Sequence, residues 1–150
     1  MENLNQLKVS EWLSELKLKH FAKGVETDLP GLSEPERALI LKYLAKWSSV
    51  EQAERKTAAI ASKIKCARFR RLQTIDAFDF KHSQTTEKIE TAYMNLFSNI
   101  SREKLPSAVF TGTAGVGKTH LARALGYAAC QKGISTLFTT AGEMVNLLQH

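Results

Sequence analysis

Eight consecutive residues, Gly112-Thr113-Ala114-Gly115-Val116-Gly117-Lys118-Thr119, fit the pattern G-x-x-x-x-G-K-[ST] at all four fixed places. These residue types suit phosphate chemistry. Gly112, Gly115 and Gly117 let the backbone adopt unusual torsions and approach a ligand closely, so consecutive N–H groups converge on phosphate oxygens. A helix starting near Lys118 adds its positive end, Lys118 a movable point charge for β- and γ-phosphates, and the Thr119 hydroxyl a Mg²⁺ ligand. The pattern predicts nucleotide binding. His120, directly after it, reads as a surface or sheet-facing helix residue rather than a catalyst.

Hydrolysis asks for more: a carboxylate that fixes Mg²⁺, a residue that orients water and an arginine that neutralises developing charge. After Gly117 the sequence offers one acid, Glu143, and one arginine, Arg123. Glu143 falls in a predicted helix, whereas a metal-positioning acid belongs at the end of a buried strand. Nucleotide binding without hydrolysis by this chain alone is therefore expected, and no catalytic residue is assigned.

A second group of residues points to polyanions. Arg55, Lys56, Lys63, Lys65, Arg68, Arg70 and Arg71 fall between positions 55 and 71 with no acid among them. Such cations repel one another, and phosphate relieves that repulsion through charge-assisted contacts and counterion release. Ile60, Ile64 and Ala67 form only a narrow apolar stripe there, so the basic groups spread over much of the helix circumference. A DNA contact and a solvated helix face both remain open.

The elements that would position these groups follow from periodicity. Val9, Trp12, Leu13, Leu16, Leu18 and Phe21 predict one amphipathic helix over 8–23. A turn at Asp28-Leu29-Pro30-Gly31 and a capping box from Ser33 to Glu36 open a second helix, with Leu39, Ile40, Tyr43, Leu44 and Trp47 as its buried face. Ser48 or Ser49 would cap a third helix running to about Arg70. Then comes a connector docking through Phe78 and Phe80, with a helix around Glu87 to Asn99. Ser107–Thr111 reads as a strand, Lys118 to about Gln131 as a helix stopped by Gly133, Ile134–Thr139 as a second strand, and Ala141 onward as a last helix. The expected fold class is α/β: an N-terminal helical region, then the strand-helix-strand-helix opening of an incomplete P-loop parallel-sheet domain. The expected organisation is a basic helical region over 1–72, a linker over 73–104 and the loop-bearing region over 105–150.

The 150 residues and 16.7 kDa leave no room for an ordinary two-domain enzyme. The net charge of +6 is concentrated: residues 42–72 carry nine basic and two acidic side chains, while 1–41 and 73–150 come to −2 and +1. Cys66 and Cys130 lack ligand spacing and read as buried or inert thiols. No run approaches the roughly 18 apolar residues of a membrane span, and the start at Met1-Glu2-Asn3 lacks a leader pattern, so no membrane partner and a cytoplasmic location are expected.

The run from Phe110 to Ala141, with Gly117-Lys-Thr-His-Leu-Ala-Arg-Ala-Leu-Gly-Tyr-Ala-Ala129 inside it, resembles the IstB family, ATP-binding helper proteins of bacterial insertion sequences. The upstream Arg68-Phe69-Arg70-Arg71-Leu72 and Ile75-Asp76-Ala77-Phe78-Asp79-Phe80 are similar to that family's linker. The similarity covers about residues 40–150. It implies an AAA+ ATPase that binds DNA, oligomerises with ATP and assists a transposase encoded by the same element, here in C-terminally truncated form. It also implies that Gly112–Thr119 hold ATP and Mg²⁺ and that the basic 55–71 segment touches DNA. In that family, strands later in the chain lie between and beside the first two. Two alternatives stand beside this reading: a helicase-loader-type ATPase, and a non-catalytic DNA-binding or interaction remnant in which Trp12–Phe21 docks a protein.

Overall fold

A computed structural model describes residues 6–101, 103 and 106–149; the two chain ends and the expected boundary at 104–105 lie outside them. The chain divides into two compact units, Met1–Ala58 and Ala59–His150.

In the first unit, the single helix expected over 8–23 is two, α1 (Gln6–Glu15) and α2 (Lys19–Thr27). The break is made by the backbone. Lys17 takes φ 62°, and the amides of Lys17 and Leu18 donate back to the carbonyls of Ser14 and Leu13, a Schellman turn with lysine where glycine is usual. The reversal folds α2 onto α1, and a 3₁₀ turn at Leu29–Gly31 leads to α3 (Glu34–Cys66). Ser33 opens α3 as expected: its amide and hydroxyl donate to Glu36, and those bonds hold the Glu36 carboxyl below its usual range. Ser48 and Ser49, however, do not start a third helix. Ser48 is buried within α3, and the Ser49 hydroxyl donates to the Lys46 carbonyl, the back-bonding that lets serine sit inside a helix.

Val9, Leu13, Ala22, Val25, Leu29, Leu41 and Ala45 form the core of this unit, with Trp12 and Leu44 against it. Trp12, Leu13 and Leu16 of the docking stretch are thus core or lie against it, and Phe21 is exposed. The buried face of α3 also differs from the expected one. Leu41, Ala45 and Ser48 turn inward, while Leu39, Tyr43, Trp47 and Val50 face outward, with Trp47 62% exposed.

The second unit holds the last turns of α3, 3₁₀ turns at Ile75–Ala77 and Phe80–His82, α4 (Gln84–Ser98), α5 (Lys118–Gln131) and α6 (Ala141–Leu148). Its core is Phe80, Tyr93 and Leu121, packed by Ile75, Phe78, Phe97, Phe110 and Leu125. The two connector phenylalanines do dock as expected. Tyr93 donates to the Leu121 carbonyl at 3.0 Å, and burial pushes its hydroxyl up to about 12. The Lys132 ammonium donates to the carbonyls of Phe97, Ser98 and Ile100, closing the end of α4.

The expected α/β sheet is not there. Among the described residues every regular element is helical, and neither Ser107–Thr111 nor Ile134–Thr139 forms a strand. A strand exists only where a neighbour satisfies its backbone, and parallel strands also need both faces covered. Here the two segments do not pair: Phe138 N–H donates instead to the Ala67 carbonyl at the end of α3, while Val109 is 89% exposed. The fold class is therefore corrected from α/β to helical. No helix among the described residues is long and apolar enough to cross a membrane.

Candidate functional site

The glycine-rich loop has the backbone that its sequence asks for. Gly112, Gly115 and Gly117 take φ of 148°, 82° and 87°, and α5 starts at Lys118. Gly117 is required twice over, since a Cβ there would also lie 2.4 Å from the Phe78 ring. The Lys118 ammonium turns back onto the Gly112 and Thr113 carbonyls at 2.9 and 2.6 Å. Thr113, Ala114 and Thr119 are exposed, and Val116 is half-buried. His120 is half-buried, its Nε2 lying 2.8 Å from the Thr74 carbonyl and its ring edge-on to Phe78, so it ties the connector to α5.

The surroundings of the loop are not those of the ATP and Mg²⁺ site expected of it. A P-loop works because a sheet holds it rigid and presents an acid beside the Ser/Thr hydroxyl. No sheet exists among the described residues, and no group of three or more His, Cys, Asp or Glu that could hold a metal ion occurs among them. The expectation of ATP and Mg²⁺ binding through a P-loop of AAA+ type is corrected accordingly. Glu143, the one acid after the motif, has a different role. It closes a capping box with Thr140 at the start of α6 and pairs with Arg70 at 2.7 Å. The Thr140 amide, Arg70 and the Thr140 hydroxyl together hold its carboxyl down to about 2.

The basic residues are distributed over both units. Arg55 and Lys56 belong to the first, where Arg55 donates to the Leu16 carbonyl and to Glu51, tying α3 to the end of α1. Lys63, Lys65, Arg68, Arg70 and Arg71 belong to the second. Lys63 reaches Ser135 at 3.5 Å, and Arg70 reaches Glu143, whereas the side chains of Lys56, Lys65, Arg68 and Arg71 make no hydrogen bond or ion pair to another described residue. Arg68 sits at φ 58°, just past the end of α3. Ala67 is fully buried, and Phe69 packs on Phe138, whose ring also lies under the Arg123 guanidinium. The backbone between the arginines is therefore anchored while their charges face water. Cys130 is buried and Cys66 exposed. Sequence reasoning missed the Arg70–Glu143 pair, since nothing local links positions 73 residues apart.

These features define a helical protein with a glycine-rich turn and an anchored basic segment. A profile of the family described as IstB-like ATP binding protein matches residues 11–150, and the chain belongs to that family. It is 31% identical over 137 residues to "Insertion sequence IS232 putative ATP-binding protein" of Bacillus thuringiensis subsp. berliner, covering 91% of this chain and 54% of that one. It is 32% identical over 108 residues to "Insertion sequence IS5376 putative ATP-binding protein" of Geobacillus stearothermophilus, covering 72% and 42%. To "Insertion sequence IS21 putative ATP-binding protein" of Pseudomonas aeruginosa it is 27% identical over 140 residues, covering 91% and 50%. The chain spans about half the length of the curated relatives it matches.

Proposed function

We propose that this chain serves insertion-sequence transposition as a non-catalytic DNA-contacting component, engaging duplex phosphates through Lys63, Lys65, Arg68, Arg70 and Arg71. A transposase of the same element is its protein partner in this reading. The observation that carries it is the concentration of charge: among the described residues of the second unit these five cations make one ion pair, that of Arg70 with Glu143. Family membership supports the transposition context. Phosphate neutralisation by such a segment releases counterions and needs no base-specific contact, which suits a helper that acts at many sites. Arg55 lies outside the proposed contact because it already braces α1.

The test is duplex affinity measured by fluorescence anisotropy over a range of salt concentrations. Each phosphate neutralised adds about 0.9 to the slope of log K against log salt. Replacing Arg68, Arg70 and Arg71 together by glutamine should flatten that slope by up to about 2.7. An unaltered slope would return the segment to a solvated surface.

A further inference from the structure

A cleft of about 280 Å³ in the second unit lies between the end of α3 and the start of α6, lined by Arg68, Arg70, Phe138, Thr139, Glu143 and Asn146. We infer that this cleft is a phosphodiester-binding site for DNA in which the Glu143 carboxylate occupies the place of a phosphate oxygen and competes for Arg70. The inference rests on the DNA reading above and adds to it a specific seat and a built-in competitor.

Three observations carry it. Glu143 is held from its own side: Oε2 accepts from the Thr140 amide at 2.8 Å and the Thr140 hydroxyl at 3.0 Å, leaving Oε1 to meet Arg70 at 2.7 Å. The acid is thus fixed, while the Arg70 side chain is 69% exposed and free to leave without undoing the cap. An exposed pair of this kind is weak, so a phosphodiester, which carries the same single negative charge as the carboxylate, competes with it for Arg70 on near-equal terms. Arg68 supplies the second charge, its guanidinium without a partner among the described residues, from a left-handed backbone position that disfavours a side chain. Asn146 adds an amide that donates to phosphate oxygens, Thr139 a hydroxyl that lies 3.4 Å from Glu143 Oε2 and can turn from it to phosphate as Arg70 does, and Phe138 an apolar wall for the attached sugar. Two arginines, two neutral donors and one fixed acid make a seat that binds phosphate but holds its affinity down.

The experiment measures anisotropy of a short labelled duplex of mixed sequence with the full chain across a salt series. Glu143→Gln keeps a carbonyl oxygen for the Thr140 cap and frees Arg70. It should tighten binding about two- to five-fold and steepen the salt slope by about 0.9. In an Arg70→Gln background the same change should give little gain, as should Glu87→Gln, which removes an equal charge from α4. No gain, or an equal gain in all three settings, overturns the competitor. Asn146→Asp adds an acid to the cleft without touching the cap and should weaken binding several-fold; unchanged affinity overturns the seat even if Glu143→Gln melts α6. If the triple arginine variant flattens the slope while Glu143→Gln and Asn146→Asp do nothing, the cleft is wrong and the DNA reading stands. If that triple variant leaves the slope unaltered, the DNA reading falls and the cleft with it.

Discussion

Two non-glycine residues turn helices through the left-handed region, Lys17 at φ 62° and Arg68 at φ 58°, and they invite opposite tests. Lys17 is exposed and forms only a turn, so Lys17→Gly should relieve backbone strain and raise stability by about 1 kcal/mol in urea denaturation. Arg68 lines the arginine cleft, and Arg68→Gly should relieve the same strain yet weaken DNA binding through the lost charge. At Gly117 the strain is fully avoided by the missing side chain. Gly117→Ala meets both a positive φ and the Phe78 ring and should destabilise the second unit by about 2–4 kcal/mol, read as a lowered denaturation midpoint. Glu143 makes stability depend on pH. Its carboxyl is lowered in the fold from 4.5 to about 2, so its contribution is full above about 4.5 and is lost as pH falls from there toward 2. The denaturation midpoint of Glu143→Gln should therefore fall less steeply over that window than that of the parent.

The helices differ in what holds them. α4 is closed at both ends by specific partners, Ser83 with Thr86 at its start and Lys132 at its finish. Lys132→Met should cost about 1 kcal/mol, because carbonyls of Phe97, Ser98 and Ile100 lose a charged donor; thermal denaturation checks it. α6 has a capping box but no buried residue, and Met144, Val145, Leu147 and Leu148 are each at least half exposed. An eight-residue helix without tertiary burial is marginal in water. Its amides should exchange with deuterium faster than those of α5, which buries Leu121, Ala124 and Ala128. α4 and α5 were legible within a few residues, α5 because its signals are local: an apolar period and Gly133 at the finish. Gly133 takes φ 75°, and Ile134 N–H returns to the Ala129 carbonyl, the glycine version of the turn that Lys17 makes without warning.

At the scale of the molecule, the proposed function rests on where charge collects, over residues 42–72. Salt-dependent duplex binding that weakens on neutralising Arg68, Arg70 and Arg71 is the expected behaviour, and the anisotropy titration measures it. By itself the sequence determined what depends on neighbours in the chain: the Ser33 cap, the starts of α5 and α6, the torsional freedom of the glycine-rich loop, the charge concentrated over 42–72, and the resemblance to a family that the profile match confirms. Tertiary structure decided what depends on partners far along the chain. It buried Leu41 and Ala45 rather than Tyr43 and Trp47, brought Glu143 to Arg70, and sent the Phe138 amide to Ala67 instead of into a sheet. The physical reason is the same in each case. A cap or a glycine turn closes over a few residues, whereas a strand, a buried helix face or an ion pair exists only if a distant segment arrives to complete it.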